Sequence, residues 1–216
     1  MNASPHPVYV VDDDPSLLKA ISRLLSSAGY RVWSYDAPHD FLANVKEDVP
    51  GCVILDMHMP KMDGLEVQQV LAKRELALTV IFLTAHGKIG QCVDALKCGA
   101  VDFLTKPVMD HSLLAAVNSA LAKSEVYFKE TKELNVIKTN AAALSPREFE
   151  VFSLVVTGML NKQVADALGT CEKTIKVHRA RVMEKMDVES LAELVMAAGR
   201  LGVIGKTEAI GPRSNG

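Results

Sequence analysis

Four apolar runs of the sequence are each followed by a residue that could take part in phosphate chemistry. Asp12 and Asp13 follow the first run, Asp56 the second and Thr84 the third, and Lys106 lies just beyond the fourth. Neighbouring carboxylates repel one another unless a hard cation neutralises them, and Mg²⁺ suits such a site because it binds a few carboxylate oxygens and retains water or phosphate oxygens. A carboxylate can also attack phosphorus and hold an acyl phosphate, while a lysine neutralises charge on the transferring group. These residue types therefore predict metal-dependent phosphate chemistry, provided that folding brings the ends of the runs together.

The elements that would position these residues alternate along residues 8–121. Short β-type runs are each followed by an amphipathic helical pattern, and the runs are 8–11, 31–35, 52–55, 79–83 and 101–104. This alternation predicts a doubly wound α/β domain, with a five-stranded parallel sheet covered by helices on both faces. Ligands of such folds bind beyond the carboxyl ends of the strands, where the residues named above would meet. Helix capping is the competing explanation; it suits Asp14, which precedes Pro15 at a helix start, but it leaves the wider set unexplained.

Longer motifs around these positions resemble the receiver domain of two-component response regulators, which has a flavodoxin-like fold. The motifs are VDDD (11–14), LDMHMP (55–60), DG (63–64), LTA (83–85) and GAVDFLTKP (99–107). The resemblance implies a receiver over residues 6–122 with Asp56 as the phosphoacceptor, and with Thr84 and Lys106 binding the phosphoryl group. The implied ligands of Mg²⁺ or Mn²⁺ are Asp12, Asp13, Asp56 and the main-chain carbonyl of His58.

The same resemblance marks Phe103 as a switch aromatic. A phosphorylated Asp56 would gain a charge of about −2 and would recruit the Thr84 hydroxyl and Lys106. Movement of Thr84 would open space into which Phe103 could turn, repacking the face formed by the predicted fourth helix and the fifth strand, roughly residues 89–104. An ordinary core position is the alternative explanation for this ring.

Two histidines lie close to the predicted phosphorylation site. His58 is two residues after Asp56, and His86 is two residues after Thr84. Because these positions vary among receivers, we hypothesise that both histidines set the lifetime of the phosphoryl group by ordering or excluding water. Exposed loop positions explain them equally well, and unchanged dephosphorylation of alanine variants would favour that explanation.

Residues 144–200 show only helical patterns. Ser145, Pro146 and Glu148 form a capping box at the start of the first helix. A third helix, from about Glu172 to Met186, has an apolar face and a cationic face and follows a second helix after a short turn, which is a helix-turn-helix pattern. The basic residues of the third helix are Lys173, Lys176, Arg179, Arg181 and Lys185. Basic amphipathic helices are commonly only solvated surfaces, so this pattern is weak by itself.

Longer motifs in this region closely resemble the LuxR-type helix-turn-helix, and with a receiver they identify the NarL/FixJ class of response regulators. The motifs are LSPRE (144–148), NKQVA (161–165), LG (168–169), EKTIKVHR (172–179) and AELV (192–195). The implied contacts to bases come from Lys176 and Val177, with His178 adjacent, and the implied contacts to phosphates come from Lys173, Thr174 and Arg181. Cys171 departs from the family, which usually has Ser or Thr at this helix cap. A thiol caps poorly, so we expect this helix start to be less stable by about 1 kcal/mol unless Thr170 substitutes.

These assignments divide the chain into four segments. The receiver covers 6–122, a linker 123–142, an all-α four-helix DNA-binding domain 143–205, and a disordered tail 206–216. The linker is predicted to be partly helical, extending the fifth helix, and a flexible tether is the alternative. No segment approaches the ~18 apolar residues that cross a bilayer, and the N-terminus lacks the apolar stretch of a signal peptide. We therefore expect a cytoplasmic protein without membrane contacts, whose four cysteines are reduced.

The combined prediction is a phosphorylation-dependent transcriptional regulator that catalyses only its own phosphorylation and dephosphorylation. The expected partners are a sensor histidine kinase, promoter DNA, RNA polymerase and a second copy of the chain after phosphorylation. Activation by dimerisation and by release of a masked recognition helix both remain open. An aspartyl-phosphate phosphatase would need a cap domain for its substrate. A vestigial receiver conflicts with the intact phosphate-site residues, and a receiver used only for protein interaction would bind no promoter DNA.

Overall fold

The computed structural model describes residues 6–46, 49–85 and 102–203. The chain divides into two compact units, one ending at Lys129 and the other beginning at Glu130. The predicted fourth helix and His86 lie outside the described residues. Within those residues, no helix has the length and hydrophobicity needed to cross a bilayer.

The first unit contains a five-stranded parallel sheet in the order β2-β1-β3-β4-β5. The strands are β1 (Pro7–Val11), β2 (Arg31–Tyr35), β3 (Gly51–Asp56), β4 (Leu78–Thr84) and β5 (Asp102–Thr105). Every residue of the central strands β1 and β3 is buried, as expected for a parallel sheet that is covered on both faces. The predicted doubly wound α/β domain is therefore confirmed.

Alternate residues of the strands enter two different cores. Tyr9 and Val11 of β1 pack with the side chains on one face of the sheet, while Val8 and Val10 pack with those on the other. The first face includes the rings of Tyr9, Trp33, Tyr35 and Phe41.

The helices of this unit are α1 (Pro15–Ser27), α2 (Pro38–Asn44), α3 (Gly64–Lys73) and the first part of α4 (Asp110–Ala142). Helix α4 corresponds to the fifth helix predicted from the sequence, because the predicted fourth helix lies outside the described residues.

A buried serine attaches α4 to the amino ends of two strands. The Ser124 hydroxyl accepts a hydrogen bond from the Gly51 N–H at 2.7 Å and donates one to the Ala77 carbonyl. The Ala120 carbonyl, one turn before Ser124 in α4, accepts a hydrogen bond from the Thr79 hydroxyl at 3.0 Å. These bonds fix α4 at the edge of the sheet opposite the carboxyl ends of the strands.

The second unit is entirely helical. It contains the end of α4, followed by α5 (Pro146–Val155), α6 (Asn161–Ala167), α7 (Glu172–Met186) and α8 (Leu191–Arg200). Its core includes Phe152, Val164, Ile175 and Leu194, and Ile137 of α4 packs against it. Residues 123–142, the predicted linker, all lie within α4.

Polar contacts join the end of α4 to α7 and α8. The Asn140 amide donates to the Met186 carbonyl at 3.2 Å, and Arg200 forms an ion pair with Glu133 at 2.7 Å. Lys185 donates to the Ala143 carbonyl just beyond α4. The last turns of α4 are thus held by the second unit.

Candidate functional site

A lysine and two buried carboxylates meet at the carboxyl ends of the strands. Asp12 follows β1, Asp56 ends β3, and both side chains are almost fully enclosed. The Lys106 ammonium donates to Asp12 Oδ2 at 2.6 Å and to Asp56 Oδ2 at 2.9 Å. Lys106 reaches this position because its N–H donates to the Thr84 carbonyl at 2.8 Å, one residue beyond the β4–β5 pairing. Three separated parts of the sequence therefore form one charged cluster, as the predicted sheet required.

The electrostatics of the cluster depend on burial and on Lys106. Burial raises the pKa of the Asp12 carboxyl, and the hydrogen bond from Lys106 opposes this increase. Burial would lower the pKa of Lys106, but its bonds to Asp12 and Asp56 outweigh that effect, so the pKa is raised. The ammonium therefore remains charged at neutral pH and compensates the buried carboxylates.

Three carboxylates of this cluster could hold a divalent cation. One oxygen from each of Asp12, Asp13 and Asp56 lies within 4.8 Å of the others, and the Asp13 side chain is exposed to solvent. Carboxylate oxygens are ligands that Mg²⁺ prefers, and an open side leaves room for water or phosphate oxygens. The donor set therefore fits the predicted metal. His58 is exposed, and its N–H donates to Asp56 Oδ1 at 3.3 Å.

Local bonds fix the loop that follows β1. The Asp14 N–H donates to Asp12 Oδ1 at 2.9 Å, which orients the buried carboxylate. The Asp14 carboxylate accepts from the N–H groups of Ser16 and Leu17 and caps α1, with Pro15 in the first turn. The expected capping role of Asp14 is thus confirmed.

The loop after Asp56 is closed by a tightly packed glycine. The Gly64 N–H donates to the Met57 carbonyl at 3.1 Å, and a capping box between Asp63 and Glu66 starts α3 beside it. A Cβ atom on Gly64 would lie 2.5 Å from the Asp56 carbonyl oxygen and 2.9 Å from the Phe82 ring. The DG motif contains this position, but the sequence alone does not indicate the close approach to Asp56.

The predicted switch residues lie on β4 and β5. The Thr84 side chain is buried at the end of β4. Phe103 is partly buried, and its ring stacks on that of Phe82 with centroids 5.2 Å apart. Phe103 therefore packs against the core, a position compatible with either of its expected roles.

Helix α7 has the two faces predicted from the sequence. Ile175, Val182 and Met186 are buried in the core of the second unit, which confirms the predicted apolar face. The exposed side chains among the predicted DNA contacts are Lys173, Lys176, Val177 and Arg181. Thr174 and His178 are partly buried, and His178 Nδ1 has no hydrogen-bond partner among the described residues.

Two basic residues of α7 hold the second unit together. Arg179 donates to Asn161 Oδ1 at 3.2 Å, which links α7 to the first residue of α6. Lys185 donates to the buried Glu148 at 2.6 Å and so links the end of α7 to the start of α5. The sequence pattern places both residues on the cationic face of the helix and does not indicate these two partners. In the sequence, the capping box already accounts for Glu148, so nothing there indicates that this glutamate is buried against a lysine.

Comparisons with known proteins agree with both units. Residues 8–118 match the response regulator receiver domain, and residues 142–198 match the bacterial regulatory proteins of the luxR family. The chain is 40% identical over 201 residues to the response regulator protein TmoT of Ectopseudomonas mendocina, covering 93% of this chain and 91% of that protein. It is 37% identical over 197 residues to the transcriptional regulatory protein FixJ of Bradyrhizobium diazoefficiens, covering 91% and 96%.

A solved structure gives the same result. The response regulator StyR matches 91% of this chain and 100% of its own chain, with a TM-score of 0.77 and 37% sequence identity. Both family matches and the similarity to these full-length regulators point to the same family. The chain belongs to the NarL/FixJ class of two-component response regulators, transcription regulators that join a receiver to a LuxR-type DNA-binding domain.

Proposed function

We propose that Asp56 accepts a phosphoryl group from a sensor histidine kinase and that this modification controls binding of promoter DNA by α7. The observation that carries the proposal is the position of the Lys106 ammonium, within hydrogen-bond distance of both Asp12 and Asp56. A group placed there can neutralise a phosphoryl group on Asp56 without a large rearrangement.

The chemical step needs a carboxylate nucleophile and a compensated negative charge. An Asp56 oxygen attacks phosphorus of a phosphohistidine, the new O–P bond forms as the P–N bond breaks, and the electron pair leaves on the histidine nitrogen. Lys106 then exchanges its bond to Asp56 for one to a phosphoryl oxygen. Mg²⁺ or Mn²⁺, held by Asp12, Asp13, Asp56 and the His58 main-chain carbonyl, would neutralise charge on the transferring group. The chain thereby catalyses only its own phosphorylation and its own dephosphorylation.

The signal passes from Asp56 to the DNA-binding unit through a shift of populations. The Thr84 hydroxyl moves toward the phosphoryl group, and Phe103 turns into the space that it leaves. The altered face around 89–104 pairs two copies of the chain or releases the recognition helix. Lys176 and Val177, with His178 adjacent, then read base edges. Lys173, Thr174 and Arg181 bind phosphates of the promoter, where RNA polymerase is recruited in the cytoplasm.

The test compares the purified wild-type chain with Asp56→Asn and Asp14→Asn. Each protein is incubated with Mg²⁺ and acetyl phosphate and then analysed by intact mass and by binding to DNA selected from genomic fragments. Asp14→Asn is a matched control because it removes a neighbouring exposed carboxylate, while Asn is as good a helix cap as Asp. We expect wild type and Asp14→Asn to gain one base-labile phosphoryl group and to bind the selected DNA more tightly. Failure of the wild type to gain that mass, or equal gain by Asp56→Asn, would contradict the proposal.

A further inference from the structure

We propose that Glu172 is a specificity-determining residue of α7 that weakens binding to unrelated DNA and favours sites with a cytosine at one position. The inference rests on the proposed DNA-binding role of α7. It assigns a function to an acidic side chain that lies among the predicted contacts yet carries the wrong charge for a phosphate.

Glu172 is paired with a residue that is expected to read a base. It is the first residue of α7, and its Oε1 lies 3.3 Å from the ammonium of Lys176, one turn along the helix. Both side chains are largely exposed, Glu172 by 48% and Lys176 by 64%. A glutamate four residues before a lysine is the favourable order for such a pair, and the N-terminal turn of a helix also favours a negative charge. In the free protein, the Lys176 ammonium therefore has an exposed carboxylate partner one turn earlier in the helix.

The pairing of Glu172 with Lys176 weakens binding to DNA that depends only on contacts with phosphates. Non-specific binding comes from phosphates neutralised by lysine and arginine, with release of counterions. If Lys176 stays with Glu172, it neutralises no phosphate; if it leaves, the Glu172 carboxylate faces the DNA without a partner. Either outcome weakens binding to DNA that offers nothing to the carboxylate.

The same carboxylate can be satisfied by one kind of base. Glutamate accepts a hydrogen bond from the N4 amino group of cytosine in the major groove, and lysine donates to O6 and N7 of guanine. A sequence that presents a cytosine near Glu172 therefore satisfies the carboxylate and frees Lys176 for its own contact. Rejection of sequences that leave a polar group unpaired is a general source of specificity.

The helix carries a natural control for net charge. Glu184 is also exposed, but it lies 12 residues further along α7, or about 18 Å at the helical rise. That distance exceeds the ~8 Å over which exposed charges interact at physiological salt. Replacing Glu184 therefore changes the charge of the same helix without changing the end that carries Lys176.

The experiment uses the full chain as wild type, Glu172→Gln, Glu184→Gln and Glu172→Asp. Each protein is used to select sites from random duplex DNA, and its dissociation constants for the wild-type site and for an unrelated duplex are measured over a series of salt concentrations. For Glu172→Gln, we expect about tenfold tighter binding of unrelated DNA. The logarithm of the binding constant should also fall more steeply with the logarithm of the salt concentration, by about 0.9 in slope, because Lys176 becomes free to neutralise one phosphate. The ratio of the affinity for the wild-type site to the affinity for unrelated DNA should fall by about tenfold. At one C·G position of the selected sites, other base pairs should become accepted.

The other variants separate charge from recognition. Glu184→Gln should select the same sites as the wild type and keep the same ratio of the two affinities; because Glu184 lies three residues from Arg181, any change in binding should affect both duplexes equally. Glu172→Asp keeps the charge on a shorter side chain, so it should retain weak binding to unrelated DNA while losing the cytosine preference. If wild type selects a site but Glu172→Gln changes both affinities equally, or behaves like Glu184→Gln, the inference about Glu172 fails alone. If wild type selects no sequence at all, the proposed DNA-binding role of α7 fails first.

Discussion

The Lys106 ammonium serves both the stability of the receiver and its proposed chemistry. Asp12 and Asp56 are enclosed at the ends of neighbouring strands, and buried carboxylates are unfavourable unless they are paired. Their contacts with Lys106 compensate this burial, and Lys106 remains partly exposed on the side where a phosphoryl group would arrive. One cation therefore makes the acidic cluster compatible with folding and is also placed to stabilise an acyl phosphate.

Gly64 limits how far the loop beside Asp56 can change. Gly64→Ala would force a Cβ atom against the Asp56 carbonyl and the Phe82 ring, so the loop must shift. We expect the free energy of unfolding to fall by about 1–3 kcal/mol and phosphorylation from acetyl phosphate to slow. Gly199→Ala is the control, because nothing lies within 4 Å of its added Cβ and α8 should gain about 0.5–1 kcal/mol. Urea unfolding and phosphorylation rates test this; equal stability of the two variants would show that the contacts at Gly64 are easily relieved.

Cys171 leaves the start of α7 weakly capped. It occupies the N-cap position, and within the described part of the chain its side chain makes no capping hydrogen bond; its sulfur lies 3.2 Å from the Thr174 hydroxyl. Cys171→Ser would place a hydroxyl oxygen where it can accept from the N–H groups of the first turn. We expect the second unit to become more stable by about 1 kcal/mol, measured as a higher midpoint of thermal unfolding. Cys171→Ala should give no such gain, and an unchanged midpoint for the serine variant would mean that backbone or solvent contacts already satisfy this helix end.

At the scale of elements, Ser124 determines how α4 is attached to the sheet. Ser124→Ala removes the hydroxyl that bridges the Gly51 N–H and the Ala77 carbonyl, although these two groups also bond each other at 3.2 Å. We therefore expect a moderate loss of about 1–2 kcal/mol in the stability of the receiver. Ser119→Ala, an exposed change in the same helix, should stay within about 0.5 kcal/mol of the wild type. A similar result for both serines in urea unfolding would remove the proposed role of the bridge.

The elements of the receiver could be predicted from sequence because their patterns are strong. The apolar runs of β1 and β3 and the polar residues after them predict the parallel sheet and the meeting of Asp12, Asp56 and Lys106. The same reasoning could not place Ser124, because a single serine in a polar stretch does not indicate burial. The sequence predicts that the fifth helix extends partly into residues 123–142, but it does not indicate one continuous helix to Ala142, since the contacts of Asn140 and Glu133 with α7 and α8 are formed only in the folded second unit.

At the scale of the whole molecule, the two units have separate hydrophobic cores, and each contains a different buried group of charged side chains. The receiver depends on Lys106 beside buried carboxylates, whereas the second unit contains the buried pair of Glu148 and Lys185. The hydrogen bond from Lys185 and the Ser145 N–H lower the pKa of Glu148 from its ordinary value of 4.5 to about 2. The folded unit therefore binds a proton at Glu148 less readily than the unfolded chain does.

This difference predicts how acid affects the second unit. Because the pKa of Glu148 is lower in the folded state, its contribution to stability is complete above pH 4.5 and is lost as the pH falls toward about 2. Lys185→Met removes the main cause of the lowered pKa, so it should reduce stability at neutral pH and weaken the dependence on pH in this range. Unfolding of the second unit, followed by urea titration at pH values from 7 down to 3, should show the two proteins converging as the solution becomes acidic. A constant difference between them at every pH would mean that Lys185 acts through its hydrogen bond to the Ala143 carbonyl, and that the charge of Glu148 does not contribute to holding α5 against α7.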